Sequence, residues 1–262
     1  MTFSFNNLGN SGHLGNQMFQ YAFVKAMAIK YNTSFCIPPK DVFGKFYYQK
    51  LFSNIDECFD IKCDREVKNY PNISERFFHY DQSLIDSIEG NCNFVGFFQS
   101  EKYFKNIENE LRSFDFIFKD NIREECYEIV EEYKGSISLH IRRNDFVVNP
   151  NHPLQSNQYY IDALEQFPKD LPVLVFSDDI DWCKTQEMFS DDRFLISETK
   201  NAYYDLYIMS NCDYHIICNS TFSWWGSWLA NSKNVIAPRK WFSGDCIKHD
   251  TKDLYLPHWK IL

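Results

Sequence analysis

From Gly135 onward the chain alternates short apolar runs with segments of helical period, and that alternation limits the fold more than any other feature. Strands are predicted at 136–142, 173–177, 193–196, 214–218 and 235–237, the last capped by Pro238. Helices are predicted near 158–167, from about Asp181, over 203–210 and over 222–230. Strands that alternate with helices in this way form a parallel sheet covered on both faces.

The first half is less regular. A strand at 2–5 leads through a loop holding Gly9, Gly12 and Gly15 into a helix at 16–31. Its apolar stripe is Met18, Phe19, Ala22, Phe23, Ala26 and Met27. A strand at 34–37 follows and is stopped by Pro38-Pro39. Residues 40–90 mix aromatics with charges and show no clean period, so short strands and loops are expected there. A strand at 93–98 and helices at 100–112 and 121–133 complete this half. The expected division is therefore 1–134 and 135–262.

Charge and cysteine usage exclude several classes. The formal net charge is -9, and no basic run exceeds Arg142-Arg143, so a nucleic-acid partner is not expected. A small anion held by one or two arginines remains open. The chain has no run of ~18 apolar residues and its start, MTFSFNNLGN, has no signal-peptide pattern. The expectation is a soluble cytoplasmic protein. Nine cysteines without a CxxC pair point to buried free thiols rather than a zinc site.

In open parallel sheets ligands bind beyond the carboxyl ends of the strands. Those ends carry Arg142-Arg143-Asn144-Asp145, Ser177-Asp178-Asp179 and Asn219-Ser220-Thr221. Strand alternation puts Ser138, His140 and Arg142 on one face and Ile137, Leu139 and Ile141 on the other. Arg142 suits a diphosphate, because its planar fork donates two parallel hydrogen bonds; the plainer role is pairing with a nearby Asp. Ser220 and Thr221 sit where a strand passes into a helix, whose free N–H groups attract anions. Simple N-capping explains them equally well. Asp205 either stabilises its helix start or accepts the two adjacent donors of a guanine edge. Asp178-Asp179 is better read as a cap than as a metal site. No P-loop, GxGxxG or HExxH is present. The tryptophans Trp224, Trp225 and Trp228 are expected to pack behind the turn rather than stack on sugar.

Five stretches in order carry a resemblance: 14–22 (LGNQMFQYA), 96–104 (GFFQSEKYF), 140–145 (HIRRND), 175–179 (VFSDD) and 219–226 (NSTFSWWG). Together they resemble the α-1,2-fucosyltransferases of glycosyltransferase family 11, over nearly the whole chain. The resemblance implies an α/β, GT-B-like fold with two Rossmann-like domains facing a central cleft. Residues 1–134 would be the acceptor side and 135–262 the GDP-fucose side. It implies inverting, metal-independent transfer of L-fucose from GDP-β-L-fucose to the 2-hydroxyl of a terminal galactose, with no cofactor. By the same resemblance Arg142 contacts the diphosphate and His140 lies by the guanine. Asp205 pairs with the guanine, Ser220, Thr221 and Phe222 bind phosphate, and Asn16 approaches the donor sugar. Asp145 is either the proton acceptor or the partner that holds an arginine in place. One departure stands out: the family's Gly-Gly-Leu-Gly-Asn-Gln is here Gly12-His13-Leu14-Gly15-Asn16-Gln17. The rival readings are a transferase of another nucleotide sugar, a non-catalytic carbohydrate-binding protein and a phosphohydrolase. A glycan on the sequon at Asn219 would fill the phosphate turn, which agrees with a compartment lacking N-glycosylation.

Overall fold

A computed structural model describes residues 1–38, 51–54 and 69–262. Most of the irregular stretch expected at 40–90, with Cys58 and Cys63, lies outside the described residues. The chain forms two compact units, Met1–Lys119 with His249–Leu256, and Asp120–Lys248 with Pro257–Leu262. The division falls at Asp120 rather than at Gly135. The reason is hydrophobic: Cys126, Ile129, Val130 and Tyr133 pack with Leu174, Phe176, Ile208 and Met209 of the second unit.

The first unit holds a four-stranded parallel sheet, β1 (Thr2–Ser4), β2 (Ser34–Cys36), β3 (Asn72–Ser74) and β4 (Cys92–Val95), in the order β2-β1-β4-β3. The helix Leu14–Lys30 is buried on nearly every side, fourteen of its 17 residues in all, so the expected apolar stripe understates its burial. Its buried polar residues are held by partners from elsewhere in the unit, although among the described residues Gln20 Oε1 accepts no hydrogen bond. Lys25 donates to both oxygens of Asp115 at 2.8 and 2.6 Å, and the Tyr21 hydroxyl donates to the same carboxylate at 2.7 Å. The helix predicted at 100–112 is instead a series of short turns ending in the π-helical segment Leu111–Asp115. The strand predicted to reach Phe98 ends at Val95, because Gly96 and Phe98 both have positive φ. A short helix, Gln82–Asp86, was not anticipated; Asp81 caps it by accepting from Leu84 N–H.

The second unit follows the predicted alternation closely. Its sheet contains β5 (Ile137–Ile141), β6 (Val173–Ser177), β7 (Phe194–Ile196), β8 (Tyr214–Ile216), β9 (Asn234–Ala237) and β10 (Lys260–Ile261). All pairings are parallel and the order is β10-β9-β8-β5-β6-β7. The strand β9 is not the last, since β10 adds beyond it; a two-residue strand carries too little period to be seen in the sequence. Every residue of β5 is buried, as expected of a central strand covered on both faces. Ile137, Leu139 and Ile141 enter one apolar cluster, while Ser138 and His140 are buried on the opposite face. The segment predicted as one helix at 121–133 is two, Asp120–Glu125 and Tyr127–Glu132, broken at Cys126.

Among the described residues no helix is long and apolar enough to cross a membrane. The seven described cysteines are all free, and only Cys246 is not fully buried.

Candidate functional site

Strand order defines where the site lies in the second unit. From β5 the chain winds outward through β6 and β7, then returns to β8 on the other side of β5 and winds outward again. The connections leaving β5 and β8 therefore diverge, and an open crevice forms at their carboxyl ends. Arg142 follows β5 and Ser220-Thr221 follow β8. The register Leu139↔Ile216, continued, brings Arg142 level with Asn219. The two strand ends are joined: Arg142 N–H donates to the Cys218 sulfur, and Cys218 Sγ lies 3.2 Å from His140 Nδ1.

The register with β6 explains the arginines. Ile141 faces Ser177, so the next two residues meet Asp178 and Asp179 in turn. Arg142 Nη1 lies 2.9 Å from Asp178 Oδ2, an ion pair without hydrogen-bond alignment. Arg142 Nη2 donates to Asp145 Oδ1 at 2.6 Å. Arg143 donates from Nε to Asp179 Oδ2 at 3.0 Å, and its guanidinium lies 4.1 Å from the Trp182 ring centroid. Arg143 is thus held against the helix Ile180–Lys184, which Asp179 also caps by accepting from Trp182 N–H. Arg142 alone is poised at the crevice, with two carboxylates fixing its fork. Asp178 is the residue that sequence reasoning missed. Its signal was the matching register of Arg142-Arg143 and Asp178-Asp179 on neighbouring parallel strands.

His140 is buried, and burial beside the Arg142 charge pulls its pKa down to about 3. It is therefore a neutral imidazole at any physiological pH. Its ring centroid lies 5.5 Å from that of Phe222. Burial pushes the Cys218 thiol up to about 12, so it stays protonated.

Ser220 caps the helix Thr221–Leu229, its hydroxyl accepting from Phe222 N–H at 3.3 Å. That cap uses a lone pair and leaves the O–H free to donate. Trp224, Trp225 and Trp228 of the helix are fully buried and edge-packed with centroids 5.0 Å apart in each neighbouring pair. Burying each such ring stabilises the unit by roughly 1.5–3 kcal/mol, which anchors the helix and so the turn before it. These rings are core, not a sugar platform.

Asn219 is 3% exposed and its side chain is fully engaged. It donates to the carbonyls of Pro153 and Trp241, both at 3.1 Å, and accepts from Gln155 at 2.9 Å. The loops after β5 and β9 are also tied directly, Ser243 N–H donating to Asn151 O. A glycan cannot be attached to Asn219 in this fold, because both amide hydrogens are already donated inside the unit.

Asp205, in the helix Ala202–Met209 that precedes β8, accepts from Ser197 and Thr199 hydroxyls at 2.7 and 2.8 Å, both on Oδ1. Burial raises its pKa and those two hydroxyls offset the rise by favouring the charged form. Among the described residues none donates to Oδ2, which leaves acceptor capacity for a ligand. Asn16 belongs to the first unit, in the opening turn of the helix Leu14–Lys30, and accepts from Gln99 at 2.9 Å.

The model of the family described as Glycosyl transferase family 11 matches residues 3–262. An alpha-1,2-colitosyltransferase of Escherichia coli is 36% identical over 88% of this chain and 90% of its own. A galactoside 2-alpha-L-fucosyltransferase of Caenorhabditis elegans is 29% identical over 81% of this chain and 70% of its own. Among solved structures, the α-1,6-fucosyltransferase NodZ of Bradyrhizobium soaked with GDP-fucose superposes with a TM-score of 0.57. That likeness covers 91% of this chain and 94% of the other at 14% identity, and it shows a shared α/β, GT-B-like fold.

Proposed function

The chain belongs to glycosyltransferase family 11, and from that membership we propose that it transfers L-fucose from GDP-β-L-fucose to the 2-hydroxyl of a terminal galactose. The observation that carries this reading is the crevice between β5 and β8, which has Arg142 on one lip and a helix N-terminus at Ser220-Thr221 on the other. Both features stabilise the same thing, a diphosphate whose charge rises as it departs. Asp205 supplies the carboxylate that a guanine edge would need, with His140 on the base side and the Phe222 ring packed against it. The Caenorhabditis elegans relative, a galactoside 2-alpha-L-fucosyltransferase, supports fucose and galactose as the two sugars.

The reaction is a single displacement with inversion. The galactose hydroxyl attacks the anomeric carbon from the face opposite the diphosphate; that C–O bond forms as the bond to the diphosphate breaks. The electron pair leaves with GDP, whose charge falls to Arg142 and the helix N-terminus rather than to a metal ion. Asp178 and Asp179 support this division, since both are already engaged by arginines. When the diphosphate takes over Nη2 of Arg142, Asp145 loses its partner and becomes free to accept the proton of the attacking hydroxyl. The first unit, Met1–Lys119 with His249–Leu256, serves the acceptor.

A second donor is favoured by one observation, the 36% identity to a protein named for colitose transfer. Colitose is the 3-deoxy form of L-fucose, so the two donors differ by one hydroxyl. Incubating the protein with GDP-fucose or its 3-deoxy analogue and a panel of β-galactosides, read by mass spectrometry, is expected to give one added fucose. NMR of the product should show an α-1,2 linkage. Product from the 3-deoxy donor alone would transfer the assignment to colitose, and no product from either would contradict the reading.

A further inference from the structure

At the carboxyl edge of the first sheet, in the order β2-β1-β4-β3, Glu75 stands one residue beyond the edge strand β3. Its Oε2 accepts from Phe97 N–H at 2.8 Å and its Oε1 from Phe98 N–H at 3.0 Å. The turn 96–99 is built closely around it. A Cβ added to Gly96, whose φ is +156, would lie 2.5 Å from Glu75 Cβ and 2.9 Å from Oε2. Phe98 is held at φ 54, a costly conformation for a bulky residue. Its ring is stacked on Phe23 at 3.7 Å and 4°. From the helix Leu14–Lys30, Gln20 donates to Gly96 O at 3.0 Å. The turn ends at Gln99, whose amide donates to Asn16 Oδ1. A strained turn that persists because a half-buried carboxylate and a ring stack hold it points to a constraint imposed by function.

We propose that Glu75 is a positioning residue whose carboxylate latches the turn 96–99 and, through Gln99, fixes the amide of Asn16. The consequence for turnover rests on the family reading above, in which Asn16 serves the donor sugar; the latch itself does not.

The latch is sensitive to protonation. Burial lifts the Glu75 pKa to about 7, against the pull of the two N–H donors, which favour the anion. Among the described residues the titratable group that feels it most directly is Tyr103, whose own phenol is raised far above neutrality. Tyr80 and Asp81 adjoin Tyr103 rather than Glu75. Arg76 is turned to Asp81 and Ser83, and Asn16, Gln20 and Gln99 are neutral. Because the folded pKa lies above the unfolded one, the proton stabilises the fold below pH ~4.5, and that contribution is lost as pH rises through about 7. The latch has the opposite dependence. A protonated oxygen presents O–H towards a backbone N–H, so the turn loosens as pH falls through about 7.

The test uses the full chain with Glu75→Gln and Gln99→Ala. Amide exchange, corrected for its intrinsic pH dependence, should speed up about tenfold at Phe97 and Phe98 in Glu75→Gln, the equivalent of one lost hydrogen bond to a charged group. Wild-type exchange and fucosyl turnover should both show a transition near pH 7 that the variant lacks. Gln99→Ala should keep slow exchange at those amides and lose turnover, and GDP affinity should be unchanged in both variants. Unchanged exchange in Glu75→Gln would overturn the latch. Faster exchange with wild-type turnover would overturn the positioning role. If the wild-type protein transfers no sugar, the family reading fails while the exchange measurement still decides the latch.

Discussion

Arg142→Ala is expected to lower turnover by about 10²–10³-fold, the usual loss for one preorganised donor to a developing anion. Three observations set this expectation. The side chain lies at the switch point of the second sheet, its fork is fixed by Asp145 and Asp178, and the helix N-terminus across the crevice remains to bind phosphate in the variant. Binding should therefore weaken less than turnover falls. The fold should survive, because β5 is held by neighbours on both sides and by its buried apolar face. The local cost is at Asp178, whose Oδ2 loses its counter-charge; leaving it unpaired costs roughly 1–3 kcal/mol. Arg142→Lys keeps the charge beside Asp178 but lacks the planar fork, so it should fold like the parent and still turn over slowly. Steady-state kinetics with thermal melts distinguish the two effects. Wild-type turnover in Arg142→Ala would remove the residue from the mechanism.

Asp145→Asn is expected to be as damaging or more so, with a turnover loss of about 10²–10⁴-fold at nearly unchanged GDP affinity. In the structure Asp145 is an ion-pair partner, half-exposed and 2.6 Å from Arg142. Its other proposed role begins only when the diphosphate displaces it. The two roles predict different measurements. If Asp145 only holds Arg142, Asp178 still does so in the variant, and turnover should fall by no more than about tenfold, the value of one charge-assisted hydrogen bond. If it accepts the proton, the loss should be large and the acidic limb of the pH–rate profile should disappear. A variant with both parental turnover and parental pH profile would exclude the base role.

The second unit was legible in the sequence because a parallel sheet writes itself as apolar runs between helical periods. Ile137, Leu139 and Ile141 gave the face of β5, and Ser220-Thr221 gave the start of the helix behind β8. What the sequence did not disclose was strand order. Without it, Arg142 and Ser220 were only two strand ends of one sheet, and Asp178 looked like a cap or a metal ligand rather than the partner of Arg142. The first unit was harder to read. Lys25 and Gln20 interrupt the apolar stripe of the helix Leu14–Lys30, and their buried partners, Asp115 and the Gly96 carbonyl, come from distant segments. Gly96 and Phe98 end a strand by backbone conformation, which apolar pattern does not encode. Asn219 illustrates the same limit. Its local sequence is a sequon, while its role, clamping two loops, depends on Gln155 and Trp241.

Guanosine diphosphate is expected to bind at the crevice between β5 and β8, with Asp205 reading the base. Calorimetry of the wild-type chain and of Asp205→Asn against GDP, UDP and ADP tests this most directly. The wild type should bind GDP and give little heat with UDP or ADP. Asp205→Asn, which puts a donor where guanine also donates, should lose that preference. Equal binding of all three nucleotides by the wild type, or an undiminished preference for GDP in Asp205→Asn, would contradict it.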